Sequence, residues 1–450
     1  MKKNLALRVG LLLAVLCILP LSGQQPKPLR LLIYDPGHFH ATLLQKDMVP
    51  ELDPRVSVYA PLGPELVEYL SRISLFNNRL ENPTRWELDV HTGPAPFESM
   101  LHDRSGDVVV FSGHNKGKID RILRSLSAGL HVLADKPWIT SAADMPKLER
   151  ALDLAARNKL AAYDIMTERY EITSQVMREL VGSREVFGQL IPGDTSVPAI
   201  SVRSVHHIKK TVAGVALKRP VWFFDIDDYG DGLQDVGTHP VDLIQWTAFP
   251  DQAFDYRKDV HVESLRHESV PISLGQFQEV TGVAAFPPAL QSAVRGANTL
   301  EYRCNGIGEY TLRGSRVRIE VLWKWEAPPG GAGDIYEAAF QGTNARIELR
   351  QGLAEKFIPE VYVVPGASSN TAAAALDREV AKWQTRWPGI AVSRGGEGIR
   401  IVIPQRYRVG HEDHFGQVAA QFLKYVRAPQ SMPAWERSYM LAKYAVTTAK

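Results

Sequence analysis

Six short apolar runs punctuate the first third of the chain, with helical patterns between several of them. The runs read LRLLIY, RVSVYA, WELDVH, DVVVFS, HVLAD and LAAYDI, from Leu29 to about Ile165. PELVEYLSRISLF, KIDRILRSLSAGL and ADMPKLERALDLAARN, with apolar residues three and four apart, stand between them. A strand covered on both faces reads as a continuous apolar run, and parallel neighbours need a crossover that is usually a helix. The alternation therefore predicts an α/β fold with a Rossmann-type, doubly wound parallel sheet over residues 28–165.

From about Met166 the period changes. One helix, ITSQVMRELVG, is followed by runs that alternate apolar and polar residues: AISVRSVHHIK, LEYRCNGIGEYTLRG, SRVRIEVLWKWE, ARIELRQG, EVYVVPG and IRIVIPQRYRV. Period two reads as a sheet with one wet face. Residues 166–450 are thus expected to form an α+β domain on a large, mainly antiparallel open sheet. APPGGAGD near Pro328 reads as a surface loop. HFGQVAAQFLKYV and AWERSYMLAKYAVTTA read as C-terminal helices that pack back.

Residues 1–23 stand apart. Lys2, Lys3 and Arg8 precede the apolar run VGLLLAVLCILPL, which ends in Ser22 and Gly23. That order of charge, apolar run and small residues is a secretory signal peptide of the general type, so the expected location is outside the cytoplasm, in a bacterial periplasm. Pro20 cuts the run short of the roughly 20 apolar residues a span needs, so no membrane span is expected after cleavage. Leu16 is bulky where a lipoprotein site at Cys17 would want a small residue. Cleavage takes Lys plus Arg from 52 to 49 against 50 acidic residues. A near-neutral chain offers nothing to a polyanion, so nucleic acid is not an expected partner. Only Cys304 then remains, and no intrachain disulfide can form.

Three stretches carry chemistry. IYDPGHFHA follows the first strand, where a phosphate loop would stand. HVLADKPW ends the fifth strand in Asp135-Lys136-Pro137, at the edge where open parallel sheets bind ligands. YGDGLQDVGTHPVDLIQW carries Gly232, Asp235, Gly237, His239 and Asp242. Asp235 and His239 are four apart, which on a helix places both on one face. An imidazole titrates near neutrality and can take a hydroxyl proton, so His239 is the natural base. Asp235 would bind a neighbouring hydroxyl or steady the imidazolium. Alone, such a pair is most often a surface or capping pair, and a lysine before proline is most often solvated. Their joint occurrence on this topology points to catalysis.

Those two motifs together resemble the Gfo/Idh/MocA oxidoreductases, the family of glucose–fructose oxidoreductase and inositol dehydrogenase, over roughly residues 29–445. That family has E-K-P after its fifth strand and G-G-x-x-x-D-x-G-x-H at the start of a substrate-domain helix. FQGTNARIEL is similar to its G-T-x-G-x-(I/L) hairpin. The resemblance implies hydride transfer between NAD or NADP, tightly held, and a sugar or glycoside hydroxyl. It implies Lys136, Asp235 and His239 at the reacting centre. It puts Gly37, His38, Phe39, Ser112, Asn115, Asp135, Lys136 and Pro137 against the coenzyme. Arg219 and Trp222, just ahead of the second motif, are expected to line the substrate site with Asp235. A homo-oligomer paired through the open sheet is implied too. Two alternatives share the scaffold: an NAD-dependent glycoside hydrolase, and a coenzyme-free relative that binds a carbohydrate or a partner.

The chain departs from the family pattern in its first loop. Of three glycines only Gly37 survives, and His40 stands at the third position. Asp35 and Pro36 read as an N-cap and first helical residue, so the Asp35 carboxylate would take donors a diphosphate needs. At about 5 Å and an effective dielectric near 20, its repulsion of a phosphate charge is on the order of 3 kcal/mol. Pro61 ends the second strand where an acidic residue would hold an NAD ribose, and Lys118 stands at a usual histidine. No Arg-Arg pair marks the leader for export of a folded holoprotein.

No metal site is expected. His38 and His40, two apart on a helix, would not share a face. His411 and His414 fall one residue short of H-E-x-x-H spacing. His206 and His207 are adjacent on a strand and point opposite ways.

Overall fold

A computed structural model describes residues 27–212, 215–327, 334–366, 370–396 and 398–449. The leader and most of the APPGGAGD loop lie outside the described residues.

The first sheet has six parallel strands: β1 (Leu29–Tyr34), β2 (Leu52–Ala60), β3 (Glu87–Thr92), β4 (Val108–Phe111), β5 (His131–Ala134) and β6 (Ala162–Asp164). Their spatial order is β3-β2-β1-β4-β5-β6, the doubly wound order with its switch point between β1 and β4. All four residues of β4 are buried, which is why this strand reads as an uninterrupted Val-Val-Val-Phe. Helices α1 (His40–Leu43), α2 (Pro64–Asn78), α3 (Pro96–Asp103), α4 (Lys118–Ser127) and α5 (Met145–Arg157) connect the strands. Ile119, Ile122 and Leu126 of α4 are buried, the three-and-four spacing seen in the sequence.

After α6 (Ile172–Gly182) the chain enters a large sheet. Its strands run, in spatial order, Val260–Ser273, Thr299–Leu312, Ser315–Lys324, β7 (Ile200–His207), Ile335–Gln341, Ala345–Arg350, Glu360–Pro365, Ile399–Val402 and Ala391–Arg394. The pairs are antiparallel except β7 with Ser315–Lys324, which is parallel. Ser315–Lys324 alternates buried and half-buried almost without a break, so the period-two reading holds at residue level. IRIVIPQRYRV is a strand only to Val402, and Gln405–Tyr407 turns as a short 3-10 helix. Two helices, α7 (Gly232–Asp235) and α8 (Thr238–Ala248), lie on the inner face. Leu233 and Ile244 enter the core with Ile319 and Phe340 of the sheet.

The last helices return to the first sheet. From α9 (His411–Arg427), Phe415, Val418 and Phe422 pack with Leu31 and Val110. From α10 (Ala434–Thr447), Met440 and Tyr444 pack with Val132 and Trp138. Arg169 forms a bidentate pair with Asp242 of α8, at 2.6 and 2.7 Å, and reaches Glu436 of α10 at 2.9 Å. Lys443 of α10 bonds Asp164 at the end of β6, at 2.8 Å. This buried charge network ties the end of β6 to α8 and to the last helix.

Candidate active site

The candidate site lies at the carboxyl ends of the parallel strands. β5 runs straight into Asp135-Lys136-Pro137, and the Lys136–Pro137 peptide is cis. The Lys136 ammonium pairs with the Asp235 carboxylate of α7, and both side chains are nearly buried. Burial alone would lower this lysine, but the Asp235 and Asp135 carboxylates outweigh it and hold Lys136 above the ordinary lysine range. The Tyr229 hydroxyl also bonds Asp235, and burial followed by that carboxylate pushes the phenol well above its usual value. His239 is held well below the usual imidazole range, first by burial and then by the positive charges of Lys136 and Lys443. It stands as a neutral base.

Asp235 and His239 do not share one helix. Asp235 ends α7, and His239 begins the second residue of α8. The break falls at Gly237, where a Cβ would lie 2.3 Å from the Leu233 carbonyl oxygen. Only glycine permits that tight junction. Both residues nevertheless come under the influence of Lys136.

The turn after β1 differs from the sequence reading. Asp35 adopts a left-handed conformation, with φ 46°, and does not cap a helix. Helix α1 starts at His40 with Phe39 at its N-cap and no side-chain cap bond. The Gly37 N–H donates to the Asp35 carbonyl at 2.9 Å and the His38 N–H to the Ser112 carbonyl at 2.8 Å. Donors that would face a diphosphate are therefore spent within the protein. Gly113 lies so close that a Cβ there would be 2.0 Å from the Asp35 carbonyl oxygen. This contact between the β1 and β4 turns fixes the shape of the switch point.

The other expected residues spread around this turn. The Trp222 ring lies over Gly37 and against His114, with ring centroids 4.6 Å apart in the latter pair. Asn115 donates to the Tyr229 carbonyl at 2.7 Å and accepts from buried Lys118, so it ties the turn after β4 to the segment ahead of α7. Lys118 also donates to the Asp135 carbonyl at 2.9 Å. Arg219 donates to the carbonyls of His207 and Ile208 and stacks over Phe223, 4.6 Å from the ring centre. The Ser112 hydroxyl and the Trp222 indole N–H are buried without hydrogen-bond partners.

The histidine spacing argument also fails at this turn. His38 precedes α1 rather than lying on it, so His38 and His40 are free to converge. Their ring centroids are 4.3 Å apart, and both Nδ1 atoms face Asp135 Oδ2, at 2.8 and 3.0 Å.

One carboxyl near Lys136 has no signature in the sequence. Glu168 sits in a 3-10 turn after β6, within electrostatic reach of Lys136. Burial, then the Glu171 charge, push it up to about 8. The folded protein thus keeps a proton that the unfolded chain releases near 4.5. Its contribution to stability is full below pH 4.5 and is lost as pH rises toward 8. Glu168→Gln should therefore gain melting temperature relative to the natural protein as pH is raised from 5 to 8. Solvent reaches part of this side chain, which holds the gain to about 1–2 kcal/mol, roughly 2–4 °C for each. An equal difference at both pH values would place the carboxyl in water.

The family model described as "Putative oxidoreductase C terminal domain" matches residues 176–450. The chain is similar to a protein of Parabacteroides merdae described as "a putative oxidoreductase", at 41% identity and TM-score 0.90, over 93% of this chain and 96% of the other. GenD2 from gentamicin A biosynthesis, crystallised with NAD, shares the fold at 16% identity and TM-score 0.56, over 96% of each chain. So does KijD10, a 3-ketoreductase from Actinomadura kijaniata crystallised with NADP and TDP-benzene, at 16% identity and TM-score 0.54, over 94% and 98%. No curated protein matches the chain.

Proposed function

The chain belongs to the oxidoreductase family defined by that C-terminal domain, and on that premise we propose that it passes hydride between a carbinol carbon of a sugar or glycoside and NAD or NADP. The observation that carries the reading is the Lys136–Asp235 ion pair at the carboxyl edge of β5, with neutral His239 beside it. When bound, NAD or NADP supplies a two-electron hydride acceptor or donor. His239 takes the substrate hydroxyl proton on its imidazole. Lys136 donates a hydrogen bond to the same oxygen and favours its anionic form. Asp235 holds the ammonium in place, and Tyr229 holds Asp235. Carboxyl, phenol and guanidinium groups from Glu168, Tyr229 and Arg219 suit a hydroxyl-rich substrate.

The unpartnered Ser112 hydroxyl and Trp222 indole N–H offer polar contacts to a nucleotide at the switch point. Gly37, His38, Phe39, Asn115, Asp135 and Pro137 form the remaining wall. The diphosphate would be held through side chains, because the Gly37 and His38 N–H groups are spent. That same observation favours a second reading, a coenzyme-free carbohydrate-binding relative. The glycoside hydrolase uses the same residues and would release free sugar without an electron acceptor.

Calorimetry with NAD and NADP, together with a search for nicotinamide released on denaturation, tests the coenzyme. We expect saturable uptake of one of the two. No uptake of either at millimolar supply, and none released, would leave the coenzyme-free reading. Residues 1–23 support export from the cytoplasm. Copies would pair through the wet face of the large sheet, where Arg203 is ion-paired with Glu320 and Glu337.

A further inference from the structure

Three chain segments bring imidazoles and a carboxylate to one point: the turn after β1, the end of β5 and the start of α9. His38 Nδ1 and His40 Nδ1 lie 2.8 and 3.0 Å from the same oxygen, Asp135 Oδ2. One ligating atom from each of the three residues falls within 4.8 Å of the others. Two ligands on a tetrahedral ion at roughly 2.05 Å are about 3.3 Å apart, so these atoms need to separate by only a few tenths of an ångström. His38 Nδ1 is buried and makes no aligned hydrogen bond despite its approach to the carboxylate.

The surrounding contacts are those that orient metal ligands. Asp135 Oδ1 accepts the Lys136 backbone N–H at 3.0 Å, which leaves Oδ2 to the imidazoles. His40 Nε2 meets His411 Nε2 at 2.7 Å. With His40 ligating through Nδ1, its Nε2–H donates to His411, the usual outer-sphere brace of a ligating imidazole. Lys136, whose positive charge acts on His38, is paired with Asp235. His40 and Asp135 are buried, whereas the His38 side chain is 29% exposed, so an ion has an entry path and an open coordination position.

We propose that His38, His40 and Asp135 bind a divalent first-row transition metal ion at the switch point of the parallel sheet, with His411 positioning His40. Two imidazoles and one carboxylate suit zinc or iron(II), whereas calcium and magnesium want an all-oxygen set. The site lies beside Lys136, where a bound ion would present a Lewis acid to a phosphate or carbonyl oxygen. The inference stands apart from the coenzyme reading, because its readout is metal content and not turnover.

The test uses the full chain without an affinity tag, stripped by chelator and titrated with Zn²⁺. We expect about one equivalent bound, with displacement of protons. His38→Ala and His40→Ala should each abolish that equivalent. His411→Gln should keep the stoichiometry and weaken affinity 10–100-fold. The exposed His102→Ala should change nothing. If His40→Ala fails to fold, the more exposed His38→Ala and the visible spectrum of Co²⁺-loaded natural protein carry the test. Failure of the natural protein to retain Zn²⁺, or unchanged binding in folded His38→Ala, overturns the proposal.

Discussion

Replacing His239 by alanine is expected to cut turnover by roughly 10²–10⁴, the usual contribution of a positioned general base. The imidazole is neutral, lies under the influence of Lys136, and stands two residues past the glycine junction that aims it. The melting temperature should change little by comparison, because the ring is neutral and its removal breaks no ion pair. Steady-state kinetics on a sugar alcohol, with NAD or NADP, provide the check. A drop in kcat with nearly constant KM marks loss of a group that acts in the transition state. A change below threefold would remove His239 from the role of base. Lys136→Ala should fail differently, since it strands the buried Asp235 carboxylate and lowers stability along with turnover.

Arg169→Ala should cost about 3–5 kcal/mol of stability, the largest structural effect expected of a single replacement here. The guanidinium makes four charge-assisted hydrogen bonds, two to Asp242 and two to Glu436, all buried. Removing it leaves the buried Glu436 carboxylate without its cation and Asp242 with only Lys443, at 3.4 Å. The network holds Asp164, Asp242 and Glu436 against Arg169 and Lys443. That is one carboxylate in excess, and burial pushes the Glu436 carboxyl upward despite Arg169 beside it. Glu436→Gln should therefore be far milder than Arg169→Ala, since it removes the charge the interior least tolerates. Urea midpoints of both variants compare them directly. A loss below about 1 kcal/mol for Arg169→Ala would mean that water enters the network.

Much of the architecture was legible because burial imposes a period on sequence. Val108–Phe111 is apolar throughout because both faces are covered, and Ser315–Lys324 alternates because one face is wet. The edge strand Val260–Ser273 escaped notice for the same reason. Its residues are mostly exposed, and charges and Pro271 break the pattern. At the site, DKP and the GDGLQDVGTH stretch located Lys136, Asp235 and His239 without any fold. Glu168 could not be found that way, because its raised carboxyl arises from desolvation in the folded chain and from the charge of Glu171 beside it.

The amino-acid sequence by itself determined the two sheets, their order along the chain and the two short stretches that supply Lys136, Asp235 and His239. Those follow from local periodicity and from motifs confined to short stretches. The tertiary structure alone decided the fate of the turn at Asp35–His40. Whether its N–H groups face a ligand or a neighbouring carbonyl depends on Gly113 and Ser112, more than 70 residues away. Whether its histidines act alone or together depends on Asp135 and His411, brought from two further segments. Hydrogen bonds and metal ligands are set by distance in space, and no spacing along a chain encodes that.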